Sequence, residues 1–472
     1  MAKQGHNNTH NDSVRIPIGE RRQHREDGRS DTTTAAFATR INQIAPTATQ
    51  VDRARVNQGA ANANFTGKLA MILFLTHLLA LAILITFLSV RGFMDRAPAF
   101  HPIYWYVPLF TSSASSALTA LLWLLLTLRH PSKALKASLW LSPFLTCAVA
   151  MLLLANGTGS SLACAALALA LALIQSLYAC WVTPRLPHAY QILSAATPAV
   201  QPSVAIAKYI AAMLLTGLAY SSFWILGVGG VAADRASRFG PLYVLMLLLS
   251  LWWSMQVMRY LVHVAVARVA YMKLARGAEE AFRGATGARW LGGVCLGAAV
   301  APVVGAVRGS ARAMGLVAGD SDEFLFSCTS CYMGVADRLV AWGNRWGLVH
   351  VGAHDKGFGR ASTETWEMFV KQGMRRLIDR DLTGSFCFLC GVAGGAAAAL
   401  VAGCWALAVE SSYVTGITLY AFIIGYFMIR IAMAWPQACV AAYHVAYAEN
   451  PQNSRLGSLI PNRIGELQSS LD

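Results

Sequence analysis

The sequence predicts an all-α, polytopic membrane protein with about ten transmembrane helices. Two observations carry that prediction. Of the 472 residues, 56% are apolar and only 13% are charged, about half the charged share of a soluble domain, and the mean hydropathy is +0.47. The apolar residues also lie in blocks of about 20, the length that takes a helix across about 30 Å of hydrocarbon. An unpaired backbone group in lipid costs several kcal/mol, so each block has to be helical. Soluble enzymes, nucleic-acid binders and disulfide-rich secreted folds are excluded as descriptions of the whole chain. The net charge of +15 does not point to nucleic acid, because ten of the 38 Lys and Arg fall in the first 68 positions and most others sit between apolar blocks. The ten cysteines lie in or close to apolar segments, where no exterior disulfide framework is expected.

In chain order, residues 1–64 are rich in Asn, Gln, Arg, Thr and Asp and have no apolar run. Such a composition cannot offset its ordering entropy, so a disordered cytoplasmic tail is expected. The membrane domain, residues 65–451, is read as spans Leu69–Val90, Ile103–Leu128, Ala137–Ala155, Ser161–Val182, Tyr209–Val231, Pro241–Ala267, Trp290–Val307, Phe324–Trp342, Gly384–Val409 and Tyr413–Ala434. The eighth is diluted by Ser327, Thr329, Ser330, Asp337 and Arg338. Counting Lys and Arg in alternate connections gives 17 on one side and six on the other, the six being Arg91, Arg96, Arg235, Arg238, Arg308 and Arg312. The richer side faces the cytosol, which places both termini there. Within the long connection 343–383, Trp366, Phe369, Val370, Gly373 and Leu377 recur at helical spacing opposite Lys371, Arg375 and Arg376, describing an amphipathic helix along the inner leaflet. Residues 452–472 form a cytoplasmic C-terminal tail.

Chemistry-bearing motifs are sparse. There is no His-Glu-x-x-His, no Gly-x-Ser-x-Gly and no phosphate-binding Gly-Lys-Ser/Thr, so no catalytic residue, cofactor or metal is expected. The pairs Cys328/Cys331 and Cys387/Cys390 have zinc-like internal spacing, but 55 residues separate them and both are placed in spans near the outer leaflet as packing cysteines. Glycines between Gly391 and Gly403 are read as contacts that let helices approach.

The sixth span is the most informative. Trp252, Gln256, Arg259 and His263 follow one another at four, three and four residues and so share one helix face, with Tyr260 beside them. A polar row in hydrocarbon is tolerated only against protein or a watery path. Two readings stand for each member: snorkelling for Arg259 and interhelical hydrogen bonding for Gln256 and His263, or the wall of a pathway. His77 and Gln175 are read first as structural, Arg430 as snorkelling. A quaternary ammonium is recognised by aromatic faces, and Trp224, Trp252, Trp253, Tyr260, Trp405, Tyr426 and Trp435 stand in late spans as candidates beside the ordinary role of interfacial belts.

These residues resemble the choline transporter-like solute carriers. The likeness rests on Cys328-Thr-Ser-Cys331 through Asn344-Arg-Trp-Gly-Leu-Val-His350, then Lys356-Gly357-Phe358 and Trp366, flanked by Trp181 to Arg185, Trp224 to Gly230, Val262-His263-Val264 and Tyr447 to Pro451. It covers roughly residues 65–451 and departs at Asp355, where the family has Gly, and at Arg259, where Asn is common. The resemblance implies a ten-helix plasma-membrane transporter, not an enzyme, with the lipid bilayer as its setting and choline or ethanolamine as its small cation. The expected substrate-binding residues are Trp252 and Tyr260 as aromatic contacts, Gln256 and His263 as polar wall, and Trp224 as the opposing surface. The alternative is a membrane-embedded enzyme or lipid-remodelling protein acting on phospholipid headgroups.

Overall fold

The computed structural model describes residues 65–94, 98, 100–200, 203–234, 238–278, 282, 288–318 and 323–469, except for the side chains of 288–289, 315–318 and 323–329. The expected N-terminal tail, 1–64, lies outside the described residues. Every regular element among those described is helical. In chain order they are α1 (Phe65–Met94), α2 (Pro102–Arg129), α3 (Pro131–Asn156), α4 (Gly159–Val182), the short α5 (Leu186–Ala196), α6 (Val204–Ala233) and α7 (Gly240–Tyr271). Then follow α8 (Ala288–Ala318), α9 (Glu323–Gly343), α10 (Gly347–His354), α11 (Phe358–Lys371), α12 (Arg375–Asp379), α13 (Thr383–Val409), α14 (Val414–Ala432), α15 (Ala434–Glu449) and α16 (Leu459–Ser469). Nine helical stretches among the described residues are long and apolar enough to cross a membrane, which makes this an all-α polytopic membrane protein. The eighth expected span is the helix α9, whose side chains are described only from Ser330 onward.

Local chemistry sets the helix ends. Pro at the first helical positions opens α2 and α3 with its preset φ. Thr158 and Ser203 accept hydrogen bonds from Ser161 N and Ile206 N at 3.3 Å, capping α4 and α6. Between α13 and α14, glycines let two backbones meet as the sequence suggests. A Cβ on Gly395 would sit 2.7 Å from Phe422 O, and one on Gly394 would sit 2.2 Å from Ile429 Cγ1. Helices in lipid associate through such packing rather than through a hydrophobic force. The run Trp224 to Gly230 works the same way: Gly230 meets Leu88 O of α1, Gly227 meets Ile85 and Gly229 meets Tyr106.

The connection 343–383 folds as a unit, at what we term the loop end of the bundle. Asn344 donates to Val340 O (3.0 Å) and Ser362 O (2.8 Å) and accepts from Gly347 N (3.0 Å), so one amide holds the corner between α9, α10 and α11. Asp355 takes φ +52 at the end of α10, the left-handed region that favours Gly. Its carboxylate accepts from the Trp290 indole, an anchor that Gly lacks. Departure from the family at this position is therefore compensated. The expected single amphipathic helix is broken instead: Gly373, at φ +65, turns the chain between α11 and α12. Trp366, Phe369 and Leu377 are buried against protein while Val370 is exposed, so this face packs on the bundle.

Two further expectations are corrected, and one gains detail. Arg308 and Arg312, counted on the side opposite the connection, both pair with its Asp379. The Arg308 guanidinium also lies over Trp366 (4.7 Å) and Trp346 (5.9 Å). Along its length α8 stays against the connection, with Gly297 beside Leu348 and Phe358 and with Val300 and Val304 beside Gly343. Cys387 and Cys390 sit in the first two turns of α13, at the loop end, because that helix starts beside Asp381. Finally, the expected C-terminal tail contains α16, which buries Ile460 and Leu467.

Candidate functional site

The polar row of α7 faces protein. Arg259 is only 5% exposed; it donates from Nη1 to Gln256 Oε1 (3.0 Å) and from Nη2 to Gln437 Oε1 (2.6 Å), while its Cζ stands 5.0 Å from the Tyr260 ring. His263, 1% exposed, meets Tyr260 edge-on at 6.1 Å. Arg259 does not snorkel, and neither does Arg430, which is buried on α14 close enough to Arg259 for their charges to interact. No carboxylate pairs with either guanidinium among the described residues. Burying a charge without a counter-ion is costly, so the amide oxygens and the aromatic face have to compensate.

Across from α7 stands α15, which the sequence reading missed. It follows α14 after the single residue Met433 and buries every residue from Ala434 to Ala448. Gln437 and His444, seven residues apart and so on one face, were the available signal. The cluster is rich in unmet hydrogen-bonding capacity: both ring nitrogens of His263 and of His444, Gln437 Nε2, Arg430 Nε and Nη1, and Trp435 Nε1 have no partner among the described residues. Nearby, the Cys387 thiol donates to Met433 O at 3.5 Å.

The five expected substrate-binding residues separate. Gln256, Tyr260 and His263 come together around Arg259, and the face of Tyr260 is already taken by that guanidinium. Trp252 lies one turn away, half-buried against the core. Trp224 is elsewhere: its indole donates to Leu247 O (2.8 Å) and its ring packs on Tyr420 at 5.5 Å. Leu247 precedes Gln256 by nine residues, about 14 Å along the helix. Trp224 instead joins an aromatic group with Tyr420, Trp105, Tyr413 and Phe100, linked by ring distances of 5.5 to 6.2 Å. Of the other candidates, Trp253 donates to Cys295 O (3.3 Å) and packs on His77 at 5.0 Å, and Gln175 accepts from Ser142 at 2.6 Å. A cavity of about 370 Å³ between α1 and α7 is lined by His77, Leu81, Phe87, Met246 and Ser250. Ser250 is hydrogen-bonded to Tyr220 at 2.8 Å.

The sequence profile of the family described as plasma-membrane choline transporter matches residues 166–452. The chain belongs to that family. The matched region takes in α7, the 343–383 connection and α15, and therefore the whole cluster around Arg259. Protein PNS1 of Yarrowia lipolytica (strain CLIB 122 / E 150) is 25% identical over 139 residues, 29% of this chain and 24% of PNS1. The chain thus matches about a quarter of that relative's length. Family membership places the Asn344 corner and the Asp355 turn in a transporter-family context, since both lie inside the matched region.

Proposed function

We propose that this protein transports choline or a related organic cation across the plasma membrane, with both termini in the cytosol. The observation that carries this reading is the family match across the buried polar face of α7 and its partner α15. Unpartnered polar atoms in the middle of a bundle are costly, and water, a ligand or another conformation that meets them lowers that cost. Alternating access supplies that second conformation. In this scheme the Arg259 contacts with Gln256 and Gln437 close the loop end, and opening separates α7 from α15. Substrate then contacts Trp252, Gln256, Tyr260 and His263 along one face of α7, while Trp224 stays packed on Tyr420 as part of the static wall. Movement is facilitated: an inside-negative potential contributes about 2.3 kcal/mol per 100 mV for one positive charge.

Uptake of labelled choline into proteoliposomes under an imposed inside-negative potential tests the proposal. Saturable flux that rises with potential is expected, and a flux equal to that of empty liposomes refutes it. The two buried guanidinium groups without a carboxylate favour a second reading, a substrate carrying an acidic group as well as its ammonium. Competition by glycine betaine stronger than by choline in the same assay selects that reading.

A further inference from the structure

Away from the α7 row, three helices end together. His350 and His354 stand four residues apart on α10, on one face, with ring centroids 5.3 Å apart. Glu449 closes α15 and Tyr271 closes α7. The ligand-capable atoms of His350, His354 and Glu449 all lie within 4.8 Å of one another. Tyr271 Oη donates to Glu449 and lies 3.2 Å from His354 Nε2.

The hydrogen bonds of His350 define which nitrogen is offered. Its Nδ1 is 3.5 Å from Thr365 Oγ1, and the Thr365 proton is already given to Ala361 O at 2.7 Å. This contact favours Nδ1 as the donor, the tautomer that leaves Nε2 with its lone pair. That nitrogen is buried in a residue only 3% exposed and has no partner. A metal-bound imidazole has this arrangement, with the far nitrogen fixed by a second hydrogen bond.

We propose that His350, His354 and Glu449 bind one divalent transition-metal ion, with zinc the best match to two imidazoles and a carboxylate. The fourth position falls to water or to Tyr271 Oη, as in an open tetrahedral site. Tetrahedral ligands lie about 3.4 Å apart at zinc bond lengths, so the exposed Glu449 carboxylate and the His354 ring would exchange their contacts with Tyr271 Oη for the ion. The ion ties α10 to the end of α15.

The test uses the full chain, purified without a polyhistidine tag, stripped with chelator and titrated with Co²⁺ and then Zn²⁺. Expected are a visible Co²⁺ absorption displaced by one equivalent of Zn²⁺ and a zinc-dependent rise in unfolding temperature. His350→Ala and Glu449→Gln should each lose at least about tenfold in affinity and abolish the rise. Thr365→Val, which keeps the shape and removes only the hydroxyl beside Nδ1, should weaken binding about 10- to 100-fold. Glu449→Gln alters an exposed side chain, so it reports on binding even where His350→Ala fails to fold. Wild-type zinc affinity and stoichiometry in Glu449→Gln and Thr365→Val would overturn the proposal and assign the metal to cysteines or other histidines.

Discussion

Around Trp224 the indole N–H has a carbonyl at 2.8 Å, and its ring is held by Tyr420, on which Trp105 also packs. Around Arg259, two guanidinium groups, two histidines and a glutamine side chain share too few partners. Both regions are sealed from solvent, and both are built on α7 and its neighbours. The difference is that the Trp224 indole is satisfied as it stands, with Trp105 Nε1 left unpartnered in its aromatic group, whereas around Arg259 eight buried side-chain nitrogens have no partner among the described residues. A static wall and a moving part of a transporter are expected to differ in this way, because a moving part must lie close in energy to its alternative.

Mutation can break or sharpen this contrast. Trp224→Ala should have the largest effect on stability, about 3 kcal/mol, because it empties a large packed site and removes the Leu247 contact; unfolding in detergent measures it. Gly230→Val should cost about 1 to 3 kcal/mol, since the new side chain would drive α6 off Leu88 O of α1. Gln437→Leu should cost only about 1 to 2 kcal/mol in the same measurement, yet change transport more than either. Freed from α15, Arg259 no longer closes the loop end, and accessibility labelling of a cysteine introduced at Ala267 should rise. Equal labelling in Gln437→Leu and wild type would make the α7 row as static as the aromatic region. Smallest in energy, Trp252→Leu should weaken choline affinity by about 0.5 to 2 kcal/mol with expression unchanged; an unaltered affinity removes Trp252 from the site.

Most of the helical architecture was legible because hydrocarbon leaves the chain few choices: apolar blocks longer than about 18 residues have to be helices. The α7 row was legible for the same reason, since polar residues at helical spacing in such a block must face protein or water. What faces them was not. Gln437 and Glu449 lie in a stretch whose alanines and aromatics read as a continuation past the last span, and only packing shows that Met433 interrupts the helix. Charge counting failed at Arg308 and Arg312 because it assigns side chains to a face by order along the chain, while Asp379 and two tryptophans hold them by contact. Arg430 was misjudged through a similar shortcut, and of the two readings left open for Arg259 the snorkelling one fails for the same reason. Snorkelling is the cheaper option near a helix end, but amide oxygens and a tyrosine face on the neighbouring turns offer Arg259 an inward alternative that no one-dimensional pattern displays.

The single-residue break at Met433 leaves α15 as a short rod joined to α14 at one point. Gln437, near that joint, grips Arg259; Glu449, at the other tip, meets His350 and His354 about 18 Å away along the same rod. A rod this short does not bend appreciably, so tilting one tip displaces the other. The proposed ion at the outer tip and the grip on Arg259 near the joint are thus tied to opposite ends of one rigid element.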